Sequence, residues 1–229
     1  MSRVIFWDFH GTLCRLDFES AMQTALDEYL PDNEYTRRQI AQALEGLMPW
    51  DTPLIEHPQY AEEGAWWEEN SQSFVYSFTK LGQMRLARQL AARTREIICD
   101  SRNYYVLPYA SAVLYQTRMM GWRNIILSNH IPQLPQIVAE LPIAKDIAQV
   151  ITSGNLAYEK PHKGIYEYAL KAAGYPERVW MVGDNYEADV LGAEACGIPA
   201  ILVHSAPRSI KARFRADKLT DVADIISQY

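Results

Sequence analysis

The sequence predicts an α/β protein, a parallel sheet flanked by helices and interrupted after its first strand by an all-helical insert. Three observations carry this expectation. Short apolar runs rich in β-branched and aromatic residues recur at 4–7, 124–127, 179–182 and 200–203, with a weaker one at 148–151. Runs that are apolar throughout suit strands buried on both faces. Helical patterns alternate with the later runs, and that rhythm favours a parallel sheet. Between Arg15 and Tyr104, by contrast, no convincing buried strand occurs.

Taken in order, the first strand at 4–7 runs directly into Asp8. The insert, 15–104, reads as helices over 18–30, 33–47, 62–78 and 82–98. Leu30-Pro31 and Met48-Pro49 mark breaks, because proline disfavours a helical residue before it. A helix over 112–120 stops at Gly121, one over 163–173 at Gly174, and one over 187–196 at Gly197. Glycine just past a helix supplies the left-handed residue that closes it. The chain thus divides into an α/β part, 1–14 with 105–229, and a helical part, 15–104.

Composition narrows the function. The 229 residues are 48% hydrophobic and 22% charged, a globular balance rather than a disordered one. Twenty-two Lys+Arg against 28 Asp+Glu give a net charge of −6, with no basic block of the kind that embraces nucleic acid. Cys14, Cys99 and Cys196 are far apart and form no Cys-x-x-Cys pair, which fits a reducing compartment. The first apolar run is too short for a signal peptide, and no stretch approaches the ~18 apolar residues of a membrane span. The expectation is a soluble cytoplasmic protein, monomer or homodimer, that works on a small molecule.

Ligands of open parallel sheets bind beyond the carboxyl ends of the strands. The residues found there are Asp8 to Leu13, Ser128-Asn129, Glu159-Lys160-Pro161, and Gly183-Asp184-Asn185 with Asp189 further on. Converging carboxylates repel. Two unit charges ~4 Å apart interact by ~4 kcal/mol at an effective dielectric near ~20. A hard dication would hold Asp8 and Asp184 together, and Mg²⁺ binds through one or two carboxylates plus phosphate oxygens. Lys160 adds a fixed positive charge. Such a site suits a phosphoryl group in transfer, with Asp8 as a nucleophile that forms an aspartyl-phosphate.

Asp8-x-x-Gly11-Thr12-Leu13, Ser128-Asn129, Lys160-Pro161 and Gly183-Asp184-x-x-x-x-Asp189 resemble the four ordered motifs of the haloacid dehalogenase-like (HAD) hydrolase superfamily. The resemblance spans the whole α/β part and implies a Rossmann-like core. It makes 15–104 a helical cap of the family's first type, with Leu107 to Ser111 as the re-entry into the core. It implies that Asp8 is the nucleophile of a small phosphomonoester's hydrolysis. Asp8, Asp184 and the backbone carbonyl of His10 would be the Mg²⁺ ligands. Ser128 and the Asn129 backbone N–H would hold phosphoryl oxygens, and Lys160 would neutralise nucleophile and phosphoryl group. Asp189 would steady Lys160 or the metal's water shell, and Thr12 would hydrogen-bond Asp8 on the substrate-binding side.

The family's phosphatases usually carry a second Asp two residues after the nucleophile, where this chain has His10. An imidazole with an ordinary pKa of ~6.5 is suited to proton transfer near neutrality, so His10 is read as the general acid. The alternative is that His10 merely fills the slot. The substitution keeps three rivals in view: a metal-free dehalogenase, a phosphonoacetaldehyde hydrolase with Lys80 as its Schiff base, and a non-catalytic phosphate-binding relative. Intact Gly183-Asp184 favours the metal-dependent phosphatase.

The remaining features read as follows. Trp50, Trp66 and Trp67, with Tyr60, Phe74, Tyr76 and Phe78, are read as the core of the helical part rather than a stacking surface. Lys80, Arg85, Arg88, Arg93 and Arg95 are read as a solvated face; the alternative is that one of them, or Arg37 or Arg38, reaches over the site to read a second anion. His57, His130, His162 and His204 lack metal spacing. His130 directly follows the second motif and so can face the site. The basic stretch from Arg208 to Arg215 is expected to be a surface turn or helix.

Overall fold

The computed structural model describes residues 2–204 and 210–229. Its first strand, β1 (Arg3–Trp7), leads through a turn into a two-residue strand, β2 (Cys14–Arg15). Four helices follow: α1 (Phe18–Tyr29), α2 (Arg37–Leu44), α3 (Ala65–Lys80) and α4 (Ala87–Cys99). The chain returns through β3 (Tyr105–Val106), which pairs antiparallel with β2, Cys14 opposite Val106 and Arg15 opposite Tyr105. The two ends of the helical insert are thus clasped together at its root.

Beyond β3 the alternation resumes: α5 (Ala110–Met119), β4 (Arg123–Ser128), α6 (Leu134–Glu140), β5 (Gln149–Thr152) and α7 (Lys163–Ala172). Then come β6 (Arg178–Gly183), a π-helical turn (Tyr186–Leu191), α8 (Gly192–Ala195), β7 (Ala200–Val203), β8 (Phe214–Ala216) and α9 (Asp221–Ser227). Six strands form one sheet in the order β5-β4-β1-β6-β7-β8, every neighbouring pair parallel. This is the α/β fold that the alternating apolar runs predict, with β1 at its centre.

The two-residue period of a strand sends alternate side chains to opposite faces. Ile5 and Trp7 join one core, with Ile126, Val182 and Ile201 and the insert's buried residues. Val4 and Phe6 join the other, with Ile125, Leu127, Met181 and Leu202, under α7 and α8. Asn124, buried in the sheet, is satisfied by Trp7 Nε1 at 3.0 Å and by the Leu114 and Asp146 carbonyls.

Helix ends depart from the sequence reading where capping decides. The helix expected from residue 33 starts at Arg37, because Thr36 and Gln39 form a reciprocal capping box. The helix expected over 187–196 divides into the π-turn and α8. The edge strand β8 and helices α6 and α9 have no counterpart in the pattern reading. β8 replaces part of the expected turn or helix: an edge strand has one solvent side and needs no apolar run, and Phe214 anchors it edge-on against Trp180 and Tyr229. Arg208 lies outside the described residues. Among the described residues, no helix is long and apolar enough to cross a membrane.

Candidate active site

The chain visits β4 and β5 on one side of β1 and then crosses to β6, so the sheet's switch point lies beside β1. Asp8, Ser128 and Asp184 follow or end β1, β4 and β6 there, where a crevice opens in folds of this kind.

Asp8 is nearly buried, at 7% exposure. Its Oδ1 accepts hydrogen bonds from Ser128 Oγ at 2.8 Å and from Lys160 Nζ at 2.7 Å. No hydrogen bond from the described residues reaches Oδ2. Lys160 also donates to Asp189 Oδ1 at 2.5 Å. Its burial opposes the charge, but Asp189 and Asp8 outweigh that cost and raise its pKa above the ordinary lysine value. The Asn129 side-chain amide clamps the Lys160 backbone from both sides, accepting from Lys160 N at 2.7 Å and donating to Lys160 O at 2.9 Å.

The turn after β6 is built around carboxylates. Asn185 caps it, accepting from Glu187 N and Ala188 N, while Asp189 Oδ2 accepts from Asn185 N. The wide π-turn brings Asp189 back under β6, and Gly183 is required there: a Cβ at Gly183 would lie 2.1 Å from Asp189 Oδ2. Gly11 makes the same allowance for Asp184. It has φ +86°, and a Cβ would lie 2.5 Å from Asp184 Oδ2. The Thr12 hydroxyl donates to Asp184 Oδ1 at 2.8 Å and not to Asp8 as expected. The tight turn, closed by Leu13 N and Cys14 N on Phe9 O, aims Thr12 at β6.

Oxygens of Asp8, Asp184 and Asp189 lie within 4.8 Å of one another. Burial and the neighbouring Asp8 raise the Asp184 pKa, against the Thr12 hydroxyl and Lys160. Burial likewise raises that of Asp189, with Asp8 adding to the rise and Lys160 opposing it. A set of crowded carboxylates with one ammonium shared between two of them fits a hard dication with oxygen ligands.

The cavity over these groups has a volume of about 410 Å³. His10, Asp17, Phe18, Glu19, Trp50 and Glu187 also line it, and Leu44 and Pro53 reach it from the helical part. His10 Nε2 lies 3.5 Å from Asp17 Oδ1, and Arg37 also pairs with Asp17. Trp66 and Trp67 are buried as expected, whereas Trp50 reaches the cavity. Lys80 lies over the Tyr76 ring and donates to the Ala43 carbonyl, and it does not line this cavity. Cys14 is buried, its thiol pushed up to about 12 by desolvation, so it is no reactive thiolate. The carboxylates Asp17, Glu19 and Glu187 join the site without a sequence signature. No local pattern marks them, since only the docking of the insert and the π-turn brings them to the cavity.

A motif order, a sheet topology and a strand-end carboxylate set of this kind define a HAD-type hydrolase. The family model for haloacid dehalogenase-like hydrolases matches residues 2–197, and the chain belongs to that family. Among curated proteins, the glyceraldehyde 3-phosphate phosphatase of Methanothermobacter thermautotrophicus is 37% identical over 101 residues, 43% of this chain and 44% of that protein. The phosphoserine phosphatase of Thermus thermophilus is 33% identical over 124 residues, 53% of this chain and 49% of that protein. The match spans about half the length of each relative. Among solved structures, the L-2-haloacid dehalogenase from Xanthobacter autotrophicus superposes with a TM-score of 0.68 at 19% identity, covering 99% of both chains. A predicted phosphoglycolate phosphatase from Haemophilus somnus gives 0.67 at 15% identity, covering 98% of both. At these identities the structural likeness shows the fold alone.

Proposed function

We propose that this chain is a Mg²⁺-dependent phosphatase of small phosphomonoesters that works through an aspartyl-phosphate on Asp8. The observation that carries the reading is the asymmetry at Asp8: Oδ1 is held by Ser128 and Lys160, which leaves Oδ2 as the attacking oxygen. The phosphatases among the curated relatives support it. Oδ2 forms a bond to phosphorus as the ester P–O bond breaks, and the departing alkoxide takes a proton. Water, passing a proton to the His10 imidazole that gave one up, then attacks phosphorus, the P–O bond to Asp8 breaks, and phosphate leaves. Lys160 compensates charge on nucleophile and phosphoryl group, and Ser128 orients both. Asp8, Asp184 and the His10 carbonyl would hold Mg²⁺, which supplies charge stabilisation to the phosphoryl oxygens. Asp189 steadies Lys160.

His10, on the cavity wall beside Asp17, would give the leaving oxygen its proton. On this reading residues 1–14 and 105–229 are the catalytic core and 15–104 a cap whose Leu44, Trp50 and Pro53 enclose the substrate and exclude water. The substrate is a small phosphorylated metabolite, and the working form is a cytoplasmic monomer or homodimer. The carboxylate crowding favours this reading over a metal-free dehalogenase, and the position of Lys80 argues against a Schiff-base hydrolase. The test is hydrolysis of p-nitrophenyl phosphate with and without Mg²⁺, in wild type and in Asp8→Asn. Turnover that needs Mg²⁺ and is lost in the variant is expected. Turnover by Asp8→Asn, or without metal, contradicts the proposal.

A further inference from the structure

His130 lines the same cavity and is 2% exposed. Its backbone is fixed on all sides. Its N–H donates to Ser153 Oγ at 3.1 Å, and its carbonyl accepts from Thr152 Oγ1 at 2.7 Å and from Gly154 N at 3.0 Å. Its ring is boxed by Phe9, Phe18 and Tyr104, with centroids 5.5, 6.3 and 5.9 Å away. Within that box neither Nδ1 nor Nε2 has a hydrogen-bond partner among the described residues. Packing alone is served as well by phenylalanine, without the penalty of a buried unpaired polar group. Burial, with the nearby His10, holds this imidazole down to about 3, against the pull of Asp8. The ring is therefore neutral, with one N–H donor and one acceptor.

The charges around the cavity narrow what meets it. Beyond the carboxylates at Asp8, the wall carries Asp17, Glu19 and Glu187. Lys160 is the one Lys or Arg lining it among the described residues, and it is committed to Asp8 and Asp189. Arg37, a sequence candidate for reading a second anion, is paired with Asp17. A second anionic group on the substrate would face these carboxylates with no Lys or Arg free to receive it.

Resting on the phosphatase reading, we propose that His130 is a specificity-determining residue. It hydrogen-bonds an uncharged hydroxyl on the alcohol part of the substrate, so the site selects neutral, hydroxylated phosphomonoesters over those bearing a second anion. A site built to pair a hydroxyl discriminates strongly against the analogue that lacks it.

The experiment compares kcat/KM, with Mg²⁺, for glycerol 1-phosphate, n-propyl phosphate and 3-phosphoglycerate. The first pair differ only in hydroxyls, and the third keeps the middle hydroxyl but carries a carboxylate in place of the terminal hydroxymethyl. Wild type is expected to favour glycerol 1-phosphate over each of the others by about tenfold or more. In His130→Phe and His130→Leu, the glycerol-to-propyl ratio should collapse to within about threefold of unity. The ratio is read in whichever variant thermal unfolding shows to be folded. A wild type that prefers 3-phosphoglycerate, or a ratio unchanged in a folded variant, overturns the inference and leaves the phosphatase reading standing. Failure to hydrolyse any of the three, or p-nitrophenyl phosphate, overturns the phosphatase reading itself.

Discussion

Replacing Glu159 by Gln should reverse the sign of its effect on stability between acid and alkaline pH. Glu159 is 1% exposed, and its Oε2 has no hydrogen-bond partner among the described residues. Burial pushes its carboxyl from 4.5 up to about 8, although the Ser153 hydroxyl and Lys160 pull the other way. The folded carboxyl keeps its proton until about pH 8, while the unfolded one loses it near 4.5. Between those values folding takes up a proton, so stability falls as pH rises through the window. Each tenfold difference in proton affinity is worth about 1.4 kcal/mol, so the window costs wild type roughly 4 kcal/mol by its upper end. The Gln amide does not titrate, but it brings a buried N–H₂ that costs about 1–3 kcal/mol. Near pH 8.5 the variant should therefore be more stable by roughly 2 kcal/mol, a Tm rise of about 4–8 °C for a chain of this size. Near pH 5 it should be equal or less stable. Thermal unfolding followed by circular dichroism across that range is the assay. A difference in Tm between the two proteins that does not change with pH would refute the reasoning.

Two further predictions concern the site. Gly183→Ala forces Asp189 away from Lys160, because the added methyl would overlap its carboxylate at 2.1 Å. Breaking a buried ion pair costs about 3–5 kcal/mol, so unfolding at a Tm lower by about 6 °C or more is expected, with reduced kcat. An unchanged Tm would show that the π-turn yields freely. His10→Ala should lower kcat by about 10²–10⁴-fold on alkyl phosphates, whose leaving groups need a proton, and by far less on p-nitrophenyl phosphate. Equal losses on both substrates would remove the acid role.

Much of the site was legible because its residues follow the apolar strands directly. Asp8, Ser128 and Asp184 stand where β1, β4 and β6 end, and reading past each run finds them. Lys160 was found by its motif, although its separation from Asp8 in sequence is bridged only by the fold. The pattern did not give orientation. Thr12 sits next to the turn that carries Asp8, yet the left-handed Gly11 rotates its hydroxyl to Asp184. The Asn129 side chain, to which the sequence pattern assigns no part, clamps the Lys160 backbone. The Arg37–Asp17 pair joins residues on either side of a whole helix, which no short spacing announces. β8 is silent in the sequence pattern for a different reason. A three-residue edge strand carrying Arg215 has no apolar run, and a single ring, Phe214, secures it.

The account stands on Asp8 as the group that takes the phosphoryl moiety beside a dication held with Asp184. A crystal structure of the protein soaked with Mg²⁺ and beryllium fluoride addresses it most directly. A tetrahedral beryllofluoride bonded to a carboxylate oxygen of Asp8, with Mg²⁺ shared between Asp8 and Asp184, is the predicted result. Beryllofluoride seated elsewhere, or Mg²⁺ bound without contact to Asp184, would contradict it.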